Sequence, residues 1–286
     1  MLNIIKSDLF RLRKAKLWFM GFILFAVLIT FPSIYSLSFM SNFPADTQLE
    51  GVAEHREERC LEMGVEPYEL TTEQKREISL ELDWFKPDLT VIGGNYFVLF
   101  VITILYSVLI TTRDFSSHSV KNTLSAPVAR KTYFLSKLIM TSILSVSSLI
   151  ILNLFTWILN LIVNGSGHAM TFGALIFATI KQILPLITFI SIFNLLAFLI
   201  RKSLPYALVS LGIFFFAASI LINISLMFGL KPKFMIYLPS FVFGGVIFVD
   251  DAEYVSYMVV STIVCVTVIA VTNLLGYLSF KKQEIK

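Results

Sequence analysis

One polar, basic stretch carries most of the chemistry this sequence could do: Arg113, Asp114, His118, Lys121, Asn122, Arg130 and Lys131, followed by Lys137. Asp114 can cap a helix by accepting the free backbone N–H groups of the turn that follows it. Pro127 closes the same helix, because its ring drives the residue before it out of the helical region. The twelve residues between them make about 18 Å of helix at ~1.5 Å per residue. A short rigid element between two apolar runs gives another protein something to push on. Elsewhere the sequence lacks the usual catalytic constellations. His55, His118 and His168 are scattered, with no H-E-x-x-H pair to hold a metal, and no G-x-x-x-x-G-K-[ST] loop could cradle nucleotide phosphates.

The elements that must position this stretch are membrane spans. Apolar residues make up 56% of the 286-residue chain, and its mean hydropathy is +0.80. Residues 17–39, 91–112, 138–163, 182–200, 203–229 and 255–280 contain no Asp, Glu, Lys or Arg. Each is close to the ~20 residues that cross a ~30 Å hydrocarbon core. The expected fold is therefore all-α and integral to the membrane, with six transmembrane helices in a single domain over 1–286. No charge sits in the middle of a run, which argues against a proton relay, an ion-coupled carrier or a voltage sensor.

Charge sets the orientation. With the N-terminus inside, segments 1–16, 113–137, 201–202 and 281–286 hold 15 basic residues against three acids, and the rest of the chain holds 8 against 16. The two faces carry +12 and −8, which the formal net charge of +4 conceals. The expected topology is N-in, C-in. The basic residues follow one membrane face, so they indicate lipid headgroups rather than nucleic acid. Cys60 falls outside and Cys265 within the last span, at levels that do not permit a mutual disulfide.

Residues 1–16 place Leu2, Ile5, Leu9 and Leu12 at helical spacing among five basic residues, as in an amphipathic interfacial helix; an ordinary basic flank is the plainer reading. Residues 40–90 form an acidic exterior loop with 13 acids and 5 basic residues. It reads as a solvated cap or as a vestibule attracting cations. Within it, Thr71-Thr72-Glu73-Gln74 resembles a capping box that opens a helix stopped by Pro87. Lys181 falls at the outer boundary of the fourth span, with residues 169–181 continuing that helix or lying along the interface. Residues 231–254 contain an apolar piece too short and too broken by Pro239 and Gly244-Gly245 to span, so an outer re-entrant pair of helices is expected.

The third run carries Ser145, Ser148, Asn153, Thr156 and Asn160 within about 140° of one helix face. Such residues either bond neighbouring helices together or line a mildly polar path for an amphipathic substrate. Thr188, Ser191 and Asn194, and Ser219 and Asn223, cluster in the same way in the next two runs.

Asp114, Ser119-Val120-Lys121, Asn122-Thr123-Leu124, Pro127, Arg130 and Lys137 resemble the E…G-T-x-K…L-x-x-P-x-x-R…K signature of type-2 ABC exporter permeases, with Asp for Glu and Ser for Gly. The order of elements is similar over the whole chain. The resemblance implies that 113–131 is the coupling helix, which docks into a cleft of a separate ATPase. It gives Asp114 the cap, turns Lys121 and Asn122 toward the ATPase, and has Arg130 and Lys137 tie the helix to the next span or to lipid phosphates. ATP and Mg would be held by the partner, with no cofactor on this chain. Two permease copies, as a homodimer or heterodimer, would complete a transporter in the bacterial cytoplasmic membrane. The long exterior loop is similar to those of permeases that handle antimicrobial or toxin peptides. The rival reading is a non-transporting immunity or sensor protein that binds a cationic peptide through its acidic loop.

Overall fold

In a hydrocarbon core every backbone N–H and C=O must bond within the chain, and uninterrupted apolar runs do so as helices. The structure, a computed structural model, describes residues 2–14, 96–117, 119–121, 129–164, 171–227, 237–244 and 254–282. Among these there is no strand. Helix α1 spans Leu2–Lys14 and α2 spans Tyr96–Ser107. Helix α2 runs through a π segment, Val108–Thr112, into α3, Arg113–Ser116, without leaving helical backbone. The remaining helices are α4 (Arg130–Asn164), α5 (Phe172–Ile200), α6 (Ser203–Met227), the short α7 (Pro239–Gly244) and α8 (Tyr254–Lys282).

Four stretches are long and apolar enough to cross a membrane: Val98–Ser116, Arg130–Ile162, Phe172–Ile200 and Val255–Lys282. The apolar part of α6 is the shorter Ser203–Phe216. These match five of the expected runs in position; the sixth, 17–39, and the loop 40–90 lie outside the described residues. Of the expected re-entrant segment only Tyr237–Gly244 is described, where α7 packs against α5 and α8. Helix α5 starts earlier than the apolar run alone implies. Thr171 caps it, accepting from the Ala174 N–H at 3.3 Å, so Lys181 lies inside one continuous helix with its ammonium over the Phe177 ring.

Lipid tails are as apolar as leucine, so these helices are held together by close packing and interhelical hydrogen bonds rather than by exclusion of water. The Phe100 ring sits at the centre of the bundle, with ring centroids 4.2 Å from Phe189, 4.8 Å from Phe214 and 5.5 Å from Phe243. A second aromatic group, Phe115, Tyr133, Phe134, Phe198 and Phe280, brings together the ends of α3, α4, α5 and α8. Helix α8 comes close to α4 because Gly276 has no side chain: a Cβ there would meet the Phe134 ring at 3.2 Å.

Candidate functional site: a buried charge cluster at the basic end

The basic residues at the helix ends meet at one end of the bundle. The Thr112 hydroxyl of the π segment donates to Ser203 Oγ of α6 at 3.1 Å. Arg201, between α5 and α6, holds its guanidinium over the Phe115 ring of α3, 5.4 Å from the centroid. Arg130, at the start of α4, donates from Nη1 to the last carbonyls of α8, Lys281 O at 2.6 Å and Phe280 O at 3.4 Å. The ends of α3, α5 and α8 and the beginnings of α4 and α6 therefore form one surface.

Beneath that surface lies a cluster of buried charges. Lys137 Nζ donates to both carboxylate oxygens of Asp8 at 2.8 Å and lies 2.6 Å from Asp114 Oδ2. The Tyr133 hydroxyl also donates to Asp114 Oδ2, at 3.1 Å, and the Lys137 ammonium rests over the Tyr133 ring. Asp8, Asp114 and Lys137 are 4%, 2% and 0% exposed, so water does not screen the three charges. One lysine shared by two carboxylates ties α1, α3 and α4 together at a single point.

This arrangement corrects the expected cap. Asp114 does not open a helix; it sits inside one, and the residue at the capping position, Thr112, has helical backbone and makes no side-chain cap bond. The helix from α2 continues to Ser116 because the polar residues that follow the apolar run satisfy its last turns. Ser116 Oγ donates to Thr112 O, and Ser119 Oγ to Asp114 O. The chain turns at Ser117 and is helical again at Ser119–Lys121. Asp114 and Lys137 are buried, so neither side chain lies on the surface that the helix ends form. Lys121 is exposed, while Asn122 and Pro127 lie outside the described residues.

Two members of the cluster were not expected from sequence. Asp8 is the lone acid among five basic residues in the first sixteen, and it stands three residues after Ile5, on the same helix face. That is the signal which could have marked it as inward-facing. Leu9 and Phe10 are 55% and 61% exposed, whereas Ile5 packs against the core and Asp8 is buried, so α1 turns Ile5 and Asp8 toward the bundle. Tyr133 carried no sequence signal beyond lying one turn before Lys137. Arg201 closes α5 in the left-handed region, at φ 61, and partial burial lowers the proton affinity of its guanidinium below the ordinary value.

Ser145, Ser148, Asn153, Thr156 and Asn160 of α4 are all buried. Ser145 accepts from the Thr103 hydroxyl at 3.1 Å, and Ser148 shares a 2.9 Å bond with the Tyr106 hydroxyl. Asn153 donates to Thr179 Oγ1 at 3.0 Å and Gln182 Oε1 at 2.9 Å; Thr156 and Asn160 are fully buried. Ser145 and Ser148 thus bind α4 to α2, and Asn153 binds it to α5. In the fourth span, Ser191 accepts from Asn273 of α8 at 3.1 Å. Among the described residues no group of His, Cys, Asp and Glu could hold a metal ion.

None of the curated proteins matches the sequence. A family model described as ABC-2 family transporter protein matches residues 2–285. Its members are membrane-spanning permease components of ABC transporters, which normally work with an ATPase subunit and are not themselves catalytic. The chain, a multi-pass membrane protein with its charged helix ends gathered around Asp8, Lys137 and Asp114, belongs to the ABC-2 transporter family.

Proposed function

We propose that this chain is the membrane subunit of an ATP-driven exporter in the bacterial cytoplasmic membrane, with six spans and both termini inside. ATP and Mg are bound and used by a separate cytoplasmic ATPase. The permease acts as a pair, a homodimer or a heterodimer with a related chain, and moves an amphipathic substrate such as an antimicrobial or toxin peptide or a drug. Residues 113–131 couple the two proteins. Lys121 and Asn122 face the ATPase, and Pro127 shapes the segment. Arg130 secures it to the last span, while Asp114 and Lys137 carry its movement inward.

The observation that carries this reading is the buried Asp8–Lys137–Asp114 cluster. A segment joined to the bundle only by exposed contacts would yield when pushed, because surface ion pairs contribute ~0–1 kcal/mol. Breaking a buried pair costs about 3–5 kcal/mol. A push on the segment after Ser117 is therefore felt inside the bundle, through Asp114, rather than absorbed at the surface, and the helices respond by moving between discrete packings. In this conformation the buried polar residues of α4 serve as links between helices, and any path along Ser145, Ser148, Asn153, Thr156 and Asn160 opens only when α4 parts from α2 and α5.

The test is affinity purification of the tagged chain from its native host in mild detergent, followed by mass spectrometry. A stoichiometric partner with a Walker A motif, lost when residues 117–128 are scrambled, supports the reading. A solitary chain that still protects cells from a cationic peptide overturns it in favour of the sensor.

A further inference from the structure

The π segment between α2 and α3 has adjacent residues whose chemistry suits a shift by one position. A π turn carries an extra residue: the Arg113 N–H reaches back five residues to Val108 O. Such turns are rare, occur mostly as single bulges inside α-helices, and are frequent at functional sites. If the segment straightens while Tyr96–Ser107 stays in place, every later residue advances by one helical position. That is a turn of about 100° and a rise of ~1.5 Å. Each side chain then gives up its place to the residue before it.

Thr111 would move into the place of Thr112 and could remake the bond to Ser203. At present the Thr111 hydroxyl is fully buried and has no hydrogen-bond partner. Asp114 would move into the place of Phe115, over which Arg201 sits. Nη2 of Arg201 is buried and has no hydrogen-bond partner. Arg113, now exposed, would move into the place of Asp114 beside the Asp8–Lys137 pair, where its charge repels Lys137. The extra residue passes into the turn at Ser117, where the helix already ends. The surroundings thus hold hydrogen-bonding capacity that the present register leaves unused.

We propose that Val108–Thr112 is a one-residue register switch, which transfers Asp114 from Lys137 to Arg201 when the ATPase moves the coupling segment. This rests on the coupling function proposed above and adds the mechanism by which movement enters the second span. Asp114 keeps a cationic partner in both registers, and the two packings are discrete because no half-residue shift satisfies Ser203 or either cation.

Cysteine cross-linking at Ser203 reads the register without touching the charge cluster. In a chain with Cys60→Ser and Cys265→Ala, Thr112→Cys with Ser203→Cys reports the present register, and Thr111→Cys with Ser203→Cys the advanced one. Inside-out vesicles containing the transporter complex are oxidised with and without ATP. The expected result is that the 112/203 pair cross-links without nucleotide and the 111/203 pair several-fold more with ATP. Arg201→Asn, which tolerates the left-handed backbone, should abolish only the ATP-dependent gain, and Arg201→Lys should restore it. A 111/203 pair indifferent to ATP in vesicles with transporter-dependent ATP hydrolysis overturns the register switch alone, as does a 112/203 pair that never cross-links. Vesicles in which the chain supports no ATP hydrolysis overturn the coupling function, and the switch with it.

Discussion

Replacing Lys137 with Met removes a cation held between two buried carboxylates and keeps most of the side-chain volume. Lys137 Nζ lies 2.8 Å from Asp8 and 2.6 Å from Asp114, and all three side chains are at most 3% exposed. Removing one partner of a buried pair costs about 3–5 kcal/mol, because the charge left behind has neither water nor a counter-ion. Here one substitution takes the ammonium from two buried carboxylates at once, while Asp114 keeps its hydrogen bond from Tyr133. The expected loss is therefore at the upper end, ~5 kcal/mol, unless one carboxyl takes up a proton. Unfolding in detergent followed by size-exclusion fluorescence should show a large drop in midpoint for Lys137→Met. Lys131→Met, at an exposed position one helix face away, should stay within about 0.5 kcal/mol of the parent. The triple variant Asp8→Asn, Asp114→Asn, Lys137→Met should recover much of the loss, since no charge is then stranded. A Lys137→Met chain as stable as Lys131→Met, or a triple variant no better than the single one, would refute the claim that the three charges act as one buried unit.

Further outcomes follow from neighbouring contacts. Arg130→Met should speed hydrogen exchange of the last amides of α8, since both carbonyls it holds belong to that helix end; unchanged exchange would show that the bonds to Phe280 and Lys281 do not order it. Gly276→Leu should destabilise by ~1–3 kcal/mol through collision with the Phe134 ring, measured as a shift in thermal midpoint. Asn153→Leu should cost ~0.6–1.7 kcal/mol by breaking two interhelical bonds, and at permissive temperature it should leave transport-linked ATP turnover intact.

The helices were legible because hydrocarbon imposes a single solution on a long uncharged run, and α2, α4, α5 and α8 fall where those runs lie. The start of α5 was less so: the uncharged run begins at residue 182, but the helix begins at Phe172 and Lys181 lies within it. Charge counting grouped the basic ends correctly but could not tell pairing from orientation. Lys137 read as one more inside cation, although its two partners lie 129 and 23 positions away in the chain, and Asp8 read as a stray acid. Sequence patterning sees charges within one helix; a cluster drawn from three helices appears only when they pack. The π segment was hidden for a different reason, since Val-Leu-Ile-Thr-Thr is unremarkable composition for a span and the extra residue shows only in the backbone bonds.

The coupling function requires that the segment after Ser117 touch an ATPase. The most direct measurement is photo-cross-linking in native membranes from a benzophenone amino acid at Lys121, which is exposed at the basic end, with the same probe at Phe172, exposed at the far end of α5, as control. The expected result is a cross-link from position 121, absent from position 172, to a protein whose sequence carries a Walker A motif. A probe at position 121 that captures only lipid, or a partner without a nucleotide-binding motif, would contradict it.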